Sequence, residues 1–126
     1  MAAASRTLKR LAILAILGTG LIHAMEAPPA FSEERYKGIL FVANGIGALV
    51  AAIGIYRNQR LGWILGLLIS LSTIIAYVAS RTVGLPGLAA EPDAWLEPLG
   101  VLSLVCEAVF VIVFIAARGW SDKSAA

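Results

Sequence analysis

Pro98-Leu-Gly-Val-Leu-Ser-Leu-Val-Cys-Glu107-Ala-Val-Phe-Val-Ile-Val-Phe-Ile-Ala-Ala117 runs for 20 residues with a single charge, and Arg118 closes it. At about 1.5 Å of rise per residue, a helix of this length crosses the roughly 30 Å of hydrocarbon in a bilayer. Pro98 stands where a helix accepts proline, in the first turn, because its missing N–H is unpaired there anyway. Working outward, charged and turn residues mark off three more apolar runs, and the predicted spans are residues 9–28, 38–56, 61–80 and 97–117. Pro28-Pro29 is expected to end the first, Arg57-Asn-Gln-Arg60 the second, and Arg81 followed by Gly84-Leu-Pro86-Gly87 the third. Only helices satisfy their own backbone within such segments. A closed barrel would show strict alternation, which is absent. The predicted fold class is all-α, a four-helix transmembrane bundle forming one membrane domain over residues 1–126.

Composition agrees. The 126 residues are 60% apolar before the 12 glycines are counted and 14% charged, with mean hydropathy +0.86. Soluble domains carry about 25% charge. A chain this small has too much surface to hide that many apolar side chains from water. The single cysteine, Cys106, excludes a disulfide scaffold, and ten dispersed Lys/Arg with net charge +2 exclude a nucleic-acid partner. The lipid bilayer is the first partner implied.

Seven Lys/Arg (Arg6, Lys9, Arg10, Arg57, Arg60, Arg118, Lys123) fall on one side of the predicted spans and three (Arg35, Lys37, Arg81) on the other. The positive-inside rule then puts both termini in the cytoplasm. Glu33, Glu34, Glu91, Asp93 and Glu97 all fall in the two opposite loops, and Tyr36, Tyr77, Trp63, Trp95 and Trp120 sit near run ends, as interfacial aromatics do. A competing reading makes the first run a cleaved secretory signal. Met25 or Glu26 spoils each small-x-small frame around His23-Ala-Met-Glu-Ala27.

The short second connection makes spans two and three an antiparallel pair. Ala43, Gly47 and Ala51 face Gly62, Gly66 and Ser70 at small-xxx-small spacing, which lets backbones approach where lipid supplies little drive for burial. Such a face serves either the chain's own bundle or a homo-oligomer or protein partner.

The informative residues are those that lipid penalises. Glu107 lies 9 residues after Pro98 and 11 before Arg118, at the bilayer centre. An ionised carboxylate there costs about 2.5–3.5 kcal/mol on insertion scales, so Glu107 must face the bundle, protonated or paired. His23, Asn44 and Thr73 each lie 13 residues from the nearest basic residue at the cytoplasmic boundary. That is about 20 Å, against about 16 Å for Glu107. One polar side chain per helix thus falls within a turn of a common plane. Helical spacing extends the layer outward: Thr19, His23 and Glu26 share a face, as do Gly66, Ser70, Thr73 and Tyr77 leading to Arg81, and Gly100, Ser103 and Glu107. Arg81 is placed to meet Glu26 or Glu97. For Asn44, Thr73 and Ser70 a helix-joining role is the leading reading, for Glu107 a functional one, and for His23 both stand.

No enzymatic or metal constellation matches securely, and the cofactor is left unknown. His23-Ala-Met-Glu26 reverses the Glu-x-x-His order of di-metal bundles, one histidine cannot supply both haem ligands, and Met25 is about 200° round the helix from His23. No phosphate loop, Cys-x-x-Cys or Ser-x-x-Lys pair occurs, so no cofactor is assigned.

Leu21-Ile-His23, Ser80-Arg-Thr-Val-Gly-Leu-Pro-Gly87 and Glu97-Pro-Leu-Gly-Val101 together resemble a group of small four-helix bacterial membrane proteins carrying SRT-x-GLP and EP-x-G segments. The resemblance implies the same four-span fold, a multi-pass place in the bacterial inner membrane, and no assigned activity. The small multidrug resistance transporters are similar in architecture only, since their carboxylate lies on the first helix and Glu107 on the fourth. The leading functional expectation is a non-enzymatic subunit or accessory component of a larger membrane complex. The alternative is a proton-coupled small-molecule carrier or proton relay using Glu107 and His23.

Overall fold

The computed structural model describes residues 5–125, with side chains as far as Arg118. Trp120 and Lys123, invoked above, lie outside the described side chains. Four helices follow one another: α1 (Arg6–Glu33), α2 (Arg35–Tyr56), α3 (Arg60–Thr82) and α4 (Pro98–Ala125). Each contains a stretch long and apolar enough to cross a membrane. Contacts run round a ring, α1 to α2 to α3 to α4 and back to α1. The bundle therefore has a terminal end, holding the start of α1, the α2–α3 turn and the close of α4, and a loop end holding the other two connections.

Local chemistry sets the boundaries. Ser5 caps α1 by accepting from the Leu8 N–H at 3.1 Å. The α2–α3 turn is a Schellman motif: Asn58, at φ 58°, sends its N–H to the Ile55 carbonyl (3.0 Å), and Gln59 sends its own to Gly54 (2.8 Å). There Gly54 and Gly62 touch backbone to backbone, and a Cβ on Gly54 would lie 2.7 Å from the Gly62 Cα. Beyond α3, Leu85-Pro86-Gly87-Leu88 forms a type II turn, with Gly87 at φ 75° and the Leu88 N–H bonded to the Leu85 carbonyl at 2.9 Å. A single 3₁₀ turn at Pro92–Ala94 follows, and Glu97 opens α4 by accepting from the Gly100 N–H at 3.0 Å.

One boundary differs from expectation. Pro28 and Pro29 lie inside α1, which continues a further turn to Glu33. Their fixed φ already suits a helix, and the lost donors cost only the bonds to the carbonyls four residues back. The last turn is closed by the Glu34 N–H on the Ala30 carbonyl (3.0 Å), and the Ser32 hydroxyl reaches the Pro28 carbonyl (3.4 Å).

The interior is built on helical seams. On α4, Gly100, Ser103, Glu107, Phe110, Phe114 and Ala117 are buried; on α1, Ala12, Ile16, Thr19, His23, Ala27 and Ala30 are. Large side chains such as Leu14, Leu21, Ile46, Leu61, Ile75 and Ile112 point outward, as a lipid-solvated bundle requires. Toward the terminal end the interior is wholly apolar, with Ile16, Ile55, Trp63, Phe110 and Phe114 packed among alanines. Toward the loop end it is polar and partly open.

Candidate functional site

The polar half centres on Glu107, which is completely buried. Its Oε2 accepts two hydroxyl bonds, from Thr19 of α1 at 2.6 Å and from Ser103, one turn back on α4, at 2.5 Å. The two hydroxyl oxygens are 3.1 Å apart. Among the described residues, Oε1 has no partner. The two oxygens are thus unequal, Oε2 held by two hydroxyl donors and Oε1 by none among the described residues.

Thr19 also joins Glu107 to His23. His23 Nδ1 lies 2.8 Å from the Thr19 carbonyl and 3.4 Å from the Thr19 hydroxyl. A carbonyl only accepts, so Nδ1 carries its proton, and in the neutral ring Nε2 is left with the lone pair. Phe41 of α2 holds the ring edge-on, centroids 4.9 Å apart. Nε2 makes no hydrogen bond among the described residues, and His23 lines a cavity.

That cavity, about 270 Å³, lies between the helices at the loop end, with His23, Thr73 and Ser103 at its deep end. Phe41 and Tyr77 flank it, and Glu26, Glu33, Lys37, Arg81, Glu91 and Glu97 bring charge to it. Lys37 pairs with Glu33 one turn away, and Arg81 Nη2 lies 3.9 Å from Glu97 Oε2. Glu26 is half-buried and enters no ion pair among the described residues.

The segment after α3 covers the cavity and is tied down from several sides. The Arg81 guanidinium stacks on Tyr77 at 3.8 Å and donates to the Ala94 carbonyl through Nε (3.3 Å) and Nη2 (3.2 Å). Tyr77 donates its hydroxyl to the Trp95 carbonyl at 2.6 Å, and the Glu91 N–H bonds to the Ser80 carbonyl at 2.9 Å. From α2, the Tyr36 hydroxyl reaches the Pro86 carbonyl at 2.5 Å.

The residues singled out from sequence are thus distributed unequally. His23 and Glu107 belong to one network through Thr19. Asn44 and Thr73 form another: Asn44 Nδ2 donates to Thr73 Oγ1 (3.1 Å), which donates to the Ile69 carbonyl (2.6 Å). No direct hydrogen bond joins the two pairs among the described residues. Arg81 meets Glu97 and not Glu26. Of the packing residues, Ala51 is buried, Gly47 sits beside Ile69, and Gly62 meets Gly54. Gly66 faces Phe110 of α4, not α2. Ser70 is buried with no partner for its hydroxyl among the described residues, and Ala43 is exposed on the outside of α2. Phe41, Glu91 and Tyr36 contribute to the site without having been singled out for it. Only the Glu33–Lys37 pairing carried a sequence signal, its four-residue spacing.

A family model, the family of unknown function DUF7475, matches residues 1–117, and the chain belongs to that family. The chain is also 28% identical over 125 residues to an uncharacterised MFS-type transporter of Mycobacterium tuberculosis, found in strains CDC 1551 / Oshkosh and H37Rv. The match covers 98% of this chain but only 18% of the transporter. No solved structure matches.

Proposed function

We propose that this DUF7475 protein is a proton-coupled small-molecule carrier, or the carrier subunit of a larger assembly, in a bacterial inner membrane. Both termini lie in the cytoplasm and the cavity faces outward, as the seven-to-three division of Lys/Arg supports. One observation carries the reading. A fully buried carboxylate, Glu107, accepts from the Thr19 hydroxyl, which lies 3.4 Å from Nδ1 of the single histidine, and that histidine lines a polar cavity. Membrane carboxylates are expensive and are kept where chemistry needs them. His23 exchanges protons with the cavity, and the Thr19 and Ser103 hydroxyls relay them to Glu107. The apolar terminal half closes the other end, so a coupled carrier must alternate rather than conduct. The similarity to an MFS-type transporter favours transport over a purely structural role.

The test uses full-length protein in liposomes enclosing a pH dye, to which a deproteinised small-molecule extract of the host cell is added. A solute-dependent change in lumenal pH is expected, falling at least about tenfold in Glu107→Gln, the size of effect typical for a proton-transfer group. No signal in the wild type, or an undiminished one in Glu107→Gln, overturns the reading.

A second reading, a non-enzymatic accessory subunit, is favoured by an apolar groove of about 380 Å³ on the outside of α1 and α2, where Gly20, Gly45 and Ala48 bring the two helices together between the exposed Leu17, Leu21, Ile46 and Leu49. Such a close helix pair leaves a shallow apolar trough in which a partner helix can lie. Purification in mild detergent should then bring down a second chain or a homo-oligomer. A solitary monomer removes this reading and leaves the carrier intact.

A further inference from the structure

We infer that the cavity takes a small organic cation of the alkylammonium class, bound through its N–H donors; the inference rests on the carrier reading and names its solute. The deep end of the cavity has its hydroxyl protons already committed. Ser103 donates to Glu107 Oε2 and Thr73 donates to the Ile69 carbonyl, so both line the cavity as acceptors, Thr73 with one lone pair already taken by Asn44 Nδ2. His23, only 8% exposed, spends its Nδ1 proton on the Thr19 carbonyl and lines the same space, with Nε2 unpartnered among the described residues. Three acceptors without a free donor suit an ammonium and repel an anion.

Charge points the same way by a separate route. Four carboxylates line the cavity, against Lys37 and Arg81. Glu33 and Glu97 answer those two cations, leaving Glu26 and Glu91 without a counter-ion among the described residues. Glu26 stands three residues beyond His23, on the same face of α1, so an ammonium between them meets a neutral acceptor and an anionic one. The flanking rings already hold positive charge: the Arg81 guanidinium lies 3.8 Å from the Tyr77 centroid and Lys37 Nζ 5.7 Å from that of Phe41. A metal ion is a poorer fit, because no group of three or more His, Cys, Asp or Glu side chains is placed to hold one among the described residues. The volume, about 270 Å³, is at the small end for ligand sites and limits the apolar part to a short chain or ring.

Binding of n-butylammonium, butyrate and n-butanol to the full-length protein in lipid nanodiscs, by calorimetry, isolates charge at nearly constant size. Butylammonium is expected to bind at least about tenfold more tightly than the other two, and Glu26→Gln to weaken it about tenfold, as loss of one charge-assisted hydrogen bond does. Lys37→Gln removes a competing cation and frees Glu33, so it should tighten butylammonium about threefold, a gain that misfolding cannot mimic. Butyrate binding as tightly as butylammonium, an unchanged affinity in Glu26→Gln, or weaker binding in Lys37→Gln overturns the inference. The two readings fail separately. Preferred butyrate binding with an intact, Glu107-dependent lumenal pH signal removes the cation and keeps proton coupling. Butylammonium binding with a pH signal insensitive to Glu107→Gln does the reverse.

Discussion

The two ends of the bundle use the same seams for opposite purposes. On α4, Gly100, Ser103 and Glu107 point into the loop-end half, and Phe110, Phe114 and Ala117 continue that seam into the terminal half. The terminal half is dry, with Trp63 tilted against Phe110 and Phe114 at ring centroids 6.1 and 6.4 Å away. The loop-end half is held by hydroxyl, carboxylate, imidazole and guanidinium contacts round an open space. In lipid, apolar residues gain little by turning inward, so the dry half holds by close packing and dispersion, and the wet half by hydrogen bonds that hydrocarbon cannot supply. Tight apolar packing thus belongs to the terminal half, and the polar contacts and the cavity belong to the loop end.

The largest expected effect lies in the dry half. Phe110 is completely buried and fills the space above Gly66, where any Cβ would collide with its ring. Phe110→Ala should cost about 3–5 kcal/mol, the range for emptying a packed aromatic site. Unfolding in mixed micelles titrated with SDS measures it. A cost under about 1 kcal/mol would mean that the dry half collapses onto the gap and is not tightly packed.

An intermediate effect is expected at the junction. Thr19→Val keeps the shape of the side chain and the carbonyl that His23 Nδ1 bonds, but takes one of two donors from Glu107 Oε2 and removes the hydroxyl that lies 3.4 Å from His23. The loss should be about 1–3 kcal/mol, since a buried acceptor loses a partner. Combined with Glu107→Gln in a double-mutant cycle, it should show coupling of at least about 0.5 kcal/mol. Additive costs would mean that the hydroxyl and the carboxylate act independently, and the relay would lose its middle member.

The same contrast explains what could be read from the chain. Run length and the spacing of charges specify four helices, and the three- and four-residue steps from Gly100 to Glu107 and from Thr19 to His23 place those side chains on common faces. Depth along each helix is legible too, because rise per residue is constant. Rotation and register between helices are not. They decide that Thr19 and Ser103 converge on one oxygen of Glu107, and that Asn44 and Thr73 bond to each other and not to His23. They also turn Gly66 toward Phe110 and leave Ala43 facing outward. Pro28-Pro29 reads as a stop because a missing donor is costly within a helix, yet one further turn follows in which other groups close the end. The covering segment is least legible, since its position depends on carbonyls of Ala94, Trp95 and Pro86, which carry no side-chain signature.

The smallest expected effect tests whether the second polar pair belongs to the chemistry at all. Asn44 spans from α2 to Thr73 on α3, but its Oδ1 is buried without a partner among the described residues. It therefore gains one bond and forfeits another. Asn44→Leu should change stability by only ~0.6 kcal/mol, the average for a polar link between membrane helices, because the lost bond is offset by relief of the orphan oxygen. Thr73 keeps its bond to the Ile69 carbonyl in this variant and still lines the cavity as an acceptor, so cation binding should hold within about twofold. A loss of tenfold or more would make Asn44 a positioning residue for the cavity and join the two networks into one working site. Unchanged binding with the small stability cost leaves Asn44 as a fastener between α2 and α3, with the proposed relay confined to α1 and α4.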